Sequence, residues 1–160
     1  MDNGVYCLIL ECIAPVAVCV GALGPRCFVL GWYLYIGSAL GSGGLSRVSR
    51  HIRFYCKQYR KPKWHIDYLM EADCILLRRV VCAKTKSDLE CLLAATIGGE
   101  GVPQFGCSDC SCPTHLFYRK EMPEIEVMAA FETIGLQPSA HTIPGGFRER
   151  GQPSSSPVAR

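Results

Sequence analysis

The hydrophobic and polar positions along the chain follow two periods, one of about two residues and one of three to four. Alternating or continuous apolar runs predict β-strands over residues 4–12, 16–23, 27–36, 74–83 and 115–119. Apolar steps of three and four predict helices over residues 45–59, 64–72, 87–97 and 122–135. Short links between the first strands favour antiparallel pairing. The pattern predicts an α/β fold: a small mixed or antiparallel sheet flanked by helices, with an extra β-hairpin.

The apolar stretch over residues 5–23 is long enough to be compared with a membrane span. Glu11 and Pro15 interrupt it, and valines alternate with other residues over positions 16–20. These features favour two strands that turn near Pro15. Because Asp2 is acidic and no basic segment precedes the apolar run, a secretory signal is not expected. We therefore predict a cytoplasmic protein without a membrane partner.

The composition predicts one globular domain followed by a tail. Apolar residues make up 49% of the 160 residues and charged residues 19%, as is typical of a folded chain. From residue 137 onward Pro, Ser, Gly and Arg dominate. We therefore predict a single domain over residues 1–136 and a disordered tail over 137–160. Most of the eleven cysteines lie in apolar runs, so we expect mostly free thiols in a reducing cytoplasm.

Positive charge is concentrated in one segment. The formal net charge is only +3, but residues 47–63 include seven basic residues and no acidic one. Such a segment attracts phosphates, although a solvated helix face is an equally ordinary explanation. The candidate contacts to a nucleic-acid backbone are Arg50, Arg53, Lys57, Arg60, Lys61 and Lys63.

A tyrosine-bearing strand, predicted to stop in a glycine-rich turn, lies directly before this basic segment. Its residues Tyr35-Ile36-Gly37 are followed by Arg47 and His51, and Gly4-Val5-Tyr6 opens the first predicted strand. This ordered set resembles the GIY-YIG nuclease superfamily. Residues 64–69, Trp-His-Ile-Asp-Tyr-Leu, narrow the resemblance to a small prokaryotic branch of undefined function that is sometimes fused to endonuclease III.

The resemblance covers residues 4–118 and implies an active site. The two motif tyrosines of that superfamily, here Tyr6 and Tyr35, lie on neighbouring strands and line the site. Arg47 and His51 share one helix face. Arg47 would stabilise the charge that develops on the phosphate, and His51 would relay a proton or orient water. A tyrosine base needs a nearby cation, because its ordinary pKa is near 10. Taken singly, each of these residues also has an ordinary structural explanation.

The superfamily places one catalytic glutamate on a later helix, where it binds a divalent cation. Glu90 matches that position best and would hold Mg²⁺ or Mn²⁺. Glu90 is also the third residue after Ser87, where the glutamate of a capping box belongs. A helix-capping role is therefore the alternative.

Further polar residues and a glycine are candidates for lining the site. They are Gly37, Ser38, His65, Asp67, Ser108, Asp109 and His115. His65 and Asp67 would not face each other on a regular helix, so a capping aspartate beside a satisfied histidine is the alternative. Ser38 stands where the superfamily often has a basic residue, which weakens the expected phosphate binding.

A cysteine-rich segment predicts a second chemistry. Cys107, Cys110, Cys112 and His115 supply the ligand types of a tetrahedral zinc site. Their spacing is cramped, however, and a Cys-x-x-Cys pair outside a βαβ unit is weak evidence for redox work. Zinc is therefore the less favoured cofactor.

The sequence as a whole predicts a metal-dependent DNA endonuclease that acts in DNA repair or processing. RNA stays open as a substrate, and a repair glycosylase or another repair enzyme is the expected partner. The alternatives are a nucleic-acid-binding module of the same fold that does not cleave, and a small zinc-binding protein.

Overall fold

The computed structural model describes residues 2–57, 61–107 and 110–144 and confirms the predicted α/β class. Its centre is an antiparallel sheet of five strands: β1 (Gly4–Cys12), β4 (Gly31–Ala39), β5 (Ile75–Lys84), β6 (Leu116–Arg119) and β7 (Ser139–Thr142). Their order across the sheet is β6-β4-β1-β5-β7. The extra hairpin is a separate pair of strands, β2 (Val16–Cys19) and β3 (Pro25–Phe28).

Helices cover both faces of the sheet. On one face lie α1 (Ser46–Lys57), α2 (His65–Met70) and the hairpin, and on the other lie α3 (Glu90–Ile97) and α4 (Glu124–Thr133). Each face has its own buried core, and a fully buried large apolar side chain stabilises the fold by about 1.5–3 kcal/mol. No helix in these described ranges has the length and apolar character needed to cross a membrane.

The period of two along β1 and β4 decides which layer each side chain faces. Tyr6 and Leu8 face the α1–α2 core, whereas Cys7 between them faces the α3–α4 core. The β1–β4 register sets Tyr6 opposite Gly37 and Leu8 opposite Tyr35. The two motif tyrosines therefore lie on neighbouring strands and on the same face of the sheet.

The single strand predicted over residues 27–36 is wrong, because a turn at Val29 and Leu30 separates β3 from β4. Both turn side chains are 54% exposed. The Tyr33 hydroxyl closes the turn by bonding the backbone N–H and C=O of Val29 at 3.0 and 3.2 Å. Val29 and Leu30 are as apolar as the strands beside them, so hydrophobicity alone does not reveal the break.

β7 extends the sheet into the segment predicted to be a disordered tail. Its backbone pairs with residues 79–82 of β5, and Ile143 is buried in the α1–α2 core. The four side chains of β7 are exposed, so their polar composition hides a strand that is held by main-chain hydrogen bonds. The ordered domain thus extends beyond residue 136, while residues 145–160 lie outside the described residues.

Candidate functional site

A cleft of about 430 Å³ opens beside the start of β1 and the end of β4. Tyr6 and Tyr35 line it from the sheet, Arg47 from α1, His65 from α2 and Glu90 from α3. Residues that are far apart in the sequence are therefore brought to one cavity by the sheet and by helices from both of its faces.

Gly37 lies within β4, not in a turn after the strand, and it makes room for Tyr6. A Cβ atom at position 37 would overlap the ring and hydroxyl of Tyr6 on the neighbouring strand. Only glycine leaves this space. The Tyr6 ring can therefore lie against β4 and direct its hydroxyl to His51 on α1.

Tyr6, His51 and Asp67 form a buried line of polar groups. Tyr6 Oη lies 2.8 Å from His51 Nε2, and His51 Nδ1 lies 4.0 Å from Asp67 Oδ1. Within the described residues, that Nδ1 and that Oδ1 have no hydrogen-bond partner. A neutral imidazole that accepts the Tyr6 proton at Nε2 carries its own proton at Nδ1, toward the carboxylate. We therefore assign this tautomer to His51.

Burial keeps the tyrosines and the histidine uncharged. It raises the pKa of Tyr6 above the ordinary value of 10, and it raises the pKa of Tyr35 well above it. Burial, helped by the nearby Arg50 and Arg47 cations, lowers the pKa of His51 from 6.5 to about 3. All three side chains are neutral near pH 7, so a tyrosinate in this cleft requires additional positive charge.

Asp67 supports this line from the first turn of α2. Its Oδ2 atom accepts the backbone N–H groups of Lys63 at 2.8 Å and of Trp64 at 3.0 Å. Arg50 Nη2 lies 3.5 Å from the same oxygen. The carboxylate therefore caps the start of the helix with one oxygen and faces His51 with the other.

His65 does not meet Asp67, which supports the alternative of a capping aspartate beside a satisfied histidine. Its Nδ1 accepts the backbone N–H of Gly106 at 2.8 Å, and its ring packs edge-on against Phe105. Burial lowers the pKa of His65 below 6.5. The side chain therefore enters the cleft as a neutral group that anchors the loop before β6.

Within the part of the chain that the structure describes, three cations surround the indole ring of Trp64. The Arg50 guanidinium carbon lies 4.0 Å from the ring centroid, the Lys63 amine 5.0 Å and the Arg47 guanidinium carbon 5.3 Å. Arg47 also donates a 2.8 Å hydrogen bond to the Ser38 carbonyl. Lys63 and Arg47 both line the cleft, so they bring positive charge to the place where Ser38 supplies none.

The other basic candidates are not part of the cleft as described. Arg53 and Lys61 are exposed and do not line it. Four candidates lie outside the described residues: the Lys57 side chain, Arg60, Ser108 and Asp109. Their predicted roles stay predictions.

Glu90 is the first residue of α3, so the capping box predicted at Ser87 is wrong. Leu89 occupies the N-cap position, and the Ser87 backbone N–H binds the Thr85 hydroxyl. The Glu90 side chain is 23% exposed, and its Oε2 lies 3.0 Å from His115 Nδ1. A carboxylate in an open polar cleft suits a hard divalent cation such as Mg²⁺, so the residues present fit the predicted metal.

A cluster of sulfur and nitrogen ligands lies next to Glu90. Cys91, Cys110, Cys112 and His115 each offer one ligand atom, and these atoms all lie within 4.8 Å of one another. Cys91 and Cys112 are joined by a disulfide in this structure. The predicted zinc set is wrong in one member, because Cys107 is outside the group and directs its thiol to the Phe105 carbonyl at 3.4 Å. The four clustered side chains could hold one metal ion.

Sequence reasoning gave no role to Cys91, Trp64 or Asp88, although Cys91 joins the cluster and all three line the cleft. The signal for Cys91 is its place directly after Glu90, since a site that uses one residue at a helix start can also use the next. Trp64 lies directly after Lys63, and a tryptophan beside cations is typical of a stacking platform. Asp88 has no such signal.

Comparison with known proteins gives a family without an assigned activity. A family model described as "Domain of unknown function DUF123" matches residues 5–136. No curated protein and no solved structure matches the chain. Because the family match covers most of the chain and includes the cleft residues from Tyr6 to Cys110, the chain belongs to the DUF123 family, a domain of unknown function.

Proposed function

We propose that this protein is a metal-dependent DNA endonuclease of the GIY-YIG type, with the cleft as its active site. The observation that carries the proposal is the 2.8 Å hydrogen bond between the buried His51 and Tyr6, which lines the same cleft as Arg47 and Glu90. Phosphodiester hydrolysis needs an activated water, stabilisation of negative charge and a ligand for a metal ion. These four residues supply groups for each of those needs.

Tyr6 is the proposed contact to the attacking water. As the water loses a proton to Tyr6 Oη, the Tyr6 hydroxyl proton passes to His51 Nε2. This double transfer avoids a free tyrosinate, which burial disfavours by raising the pKa of Tyr6. The same burial lowers the pKa of His51 to about 3 and disfavours the imidazolium, so the Asp67 carboxylate, 4.0 Å from Nδ1, is needed to offset its charge.

Tyr35 is proposed to position the histidine. Its ring meets His51 edge-on, with the ring centres 6.3 Å apart, and meets Phe105 edge-on at 6.1 Å. These contacts restrict rotation of the imidazole. Tyr35 therefore keeps Nε2 of His51 aligned with Tyr6.

Arg47 is proposed to stabilise the charge that develops on the scissile phosphate. One guanidinium nitrogen is anchored at the Ser38 carbonyl, which fixes the side chain beside the cleft before substrate binds. Fixed donors stabilise a transition state without reorganisation at the moment of reaction. Planar N–H groups of arginine also match phosphate oxygens in geometry.

Glu90 is the proposed metal ligand, and Asp88 is a second carboxylate on the cleft wall. When bound, Mg²⁺ or Mn²⁺ supplies polarisation of the phosphate and stabilisation of the leaving oxygen. The carboxylate of Glu90 lies at the start of α3, so the helix itself sets the position of this ligand.

Lys63 and the exposed cations Arg53 and Lys61 are the proposed contacts to the DNA backbone. Binding through phosphates is independent of sequence and weakens with salt, so the proposal sets no sequence preference. RNA carries the same phosphates and is the alternative substrate. A repair enzyme as partner rests on the resemblance alone, whereas the cytoplasmic location rests on the acidic start of the chain and on its many thiols.

The test is a cleavage assay on labelled duplex, nicked, flap and junction DNAs, and on an RNA hairpin, with Mg²⁺, Mn²⁺ or a chelator. We expect cleavage of at least one substrate only when metal is present. Arg47→Ala should lower the single-turnover rate at saturating DNA by about 10²–10³-fold. Arg53→Ala is the matched control, because it should weaken binding and leave that rate unchanged.

A non-cleaving nucleic-acid-binding module is the second candidate. Tyr6 is only 2% exposed and Tyr35 only 8%, so the two tyrosines present little surface to a substrate. In that case the protein would bind DNA with a salt-dependent affinity that Lys63→Ala weakens, and every substrate would stay intact with either metal.

A further inference from the structure

His115 faces two different groups with its two ring nitrogens. Nε2 lies 3.6 Å from the Cys110 sulfur and 3.8 Å from the Cys91 sulfur, while Nδ1 lies 3.0 Å from Glu90 Oε2. The side chain is 1% exposed. Nδ1 and the carboxylate are close but not aligned as a hydrogen bond. The imidazole therefore lies between a thiol cluster and the carboxylate of the cleft.

The spacing around Nε2 matches tetrahedral zinc. With Zn–S distances of about 2.3 Å and a Zn–N distance of about 2.0 Å, tetrahedral angles set sulfur and nitrogen about 3.5 Å apart. The Cys110 and Cys91 sulfurs meet this spacing, and Cys112 completes a set of three sulfurs and one nitrogen within 4.8 Å. Thiolates are soft ligands, so the set favours zinc over the hard cation proposed for Glu90.

We infer that Cys91, Cys110, Cys112 and His115 bind one zinc ion. On binding, the thiols release their protons to solvent and become thiolate ligands, and His115 binds as a neutral imidazole through Nε2. Cys91 and Cys112 are joined by a disulfide in this structure, so a low-molecular-mass thiol must first reduce the pair with two electrons and is itself oxidised to its disulfide. The two sulfurs then lie about 3.8 Å apart around the ion. The site ties α3 to the irregular segment before β6.

Zinc on Nε2 also fixes the proton of His115 on Nδ1, which faces the Glu90 carboxylate. A carboxylate that accepts from a zinc-bound histidine is a common outer partner of zinc sites, and it orients the ring. Here the same contact would hold Glu90 at the wall of the cleft. This effect on cleavage rests on the proposed nuclease function, whereas zinc binding itself does not.

The test begins with the metal content of untagged full-length protein, produced in zinc-supplemented medium and kept reduced. We expect about one zinc ion per chain, measured by inductively coupled plasma mass spectrometry. Cys110→Ser and Cys112→Ser should lose it, whereas Cys107→Ser, the matched control from the same segment, should retain it. Zinc absent from folded wild type, or retained equally by Cys110→Ser and Cys107→Ser, would overturn the inference.

Cobalt substitution keeps the inference testable if the serine variants fail to fold. Wild type reconstituted with Co²⁺ should show the visible bands of a tetrahedral ion together with thiolate-to-cobalt charge transfer. A spectrum without thiolate charge transfer would contradict the inference. So would a Cys91–Cys112 disulfide that persists, by non-reducing mass spectrometry, in folded protein kept reduced and supplied with zinc. One zinc per chain without any nucleic-acid cleavage would leave the zinc site in place and remove the nuclease proposal.

Discussion

The two sides of the cleft are built in different ways. On one side, the Tyr6–His51–Asp67 line comes from β1, α1 and α2 and is almost completely buried. On the other side, Glu90 and His115 connect the cleft to a cysteine cluster whose members lie on α3 and on the segment before β6. The first side is fixed by packing in regular elements, and the second by contacts across an irregular segment.

This difference separates two kinds of pre-organisation. Packed rings hold the first side without any added group, since His51 contacts Tyr6, Tyr35 and Trp64. The second side brings three sulfurs and a nitrogen together, and the proposed zinc ion would fix their arrangement. Changes on the first side should therefore alter proton transfer, and changes on the second should alter metal content and the position of Glu90.

The largest expected effect on the cleavage rate comes from removing the hydroxyl oxygen of Tyr6, on the Tyr6–His51–Asp67 side of the cleft. Tyr6→Phe keeps the ring that lies against Gly37 but removes the hydroxyl that bonds His51. We expect the single-turnover cleavage rate to fall by about 10²–10⁴-fold, with folding unchanged by circular dichroism. Tyr33→Phe is the control, since that hydroxyl only closes a backbone turn. Equal losses in both variants would remove Tyr6 from the reaction.

A smaller effect concerns stability and pH. His51 has an unfolded pKa near 6.5 and a folded pKa of about 3, so between these values the unfolded chain binds the extra proton. The contribution of neutral His51 to the free energy of unfolding is fully present above pH 6.5. It should decrease as the pH falls, with a slope of up to about 1.4 kcal/mol per pH unit. Urea unfolding of wild type and His51→Gln between pH 7 and pH 5 measures this slope. Parallel curves for the two proteins would show that His51 does not titrate this way.

The smallest effect concerns salt. Lys63 lines the cleft, and losing one phosphate contact reduces the slope of log affinity against log salt by about one. Lys63→Ala and Arg53→Ala should each show this reduction in fluorescence anisotropy titrations. Lys120→Ala is the control, because this exposed lysine follows β6, at the opposite end of β4 from the cleft. A reduction of the same size for Lys120 would argue against a localised DNA surface.

The regular parts of the site follow from sequence patterns. The resemblance implies that Tyr6 and Tyr35 lie on neighbouring strands, and helical spacing predicts a shared face for Arg47 and His51. These patterns act within one element or between paired strands. They cannot predict that Asp67 faces His51 rather than His65, because that contact depends on how α2 packs beside α1.

The irregular parts do not follow from sequence patterns. Cys91 replaces Cys107 in the cluster because the path of the segment before β6 decides which sulfurs meet. Sequence patterns do not reveal β7, because main-chain pairing does not require apolar side chains. In both cases the deciding interactions lie between segments that are distant in sequence.

Glu90 belongs to both sides of the comparison, because it lines the cleft and contacts His115. The most direct measurement is therefore single-turnover DNA cleavage with Mg²⁺ by Glu90→Gln beside Glu132→Gln, which changes an exposed glutamate on α4. The account predicts that Glu90→Gln loses at least about 10²-fold in rate while Glu132→Gln cleaves like wild type. Cleavage by Glu90→Gln at the wild-type rate would contradict the assignment of the cleft as a metal-dependent nuclease site.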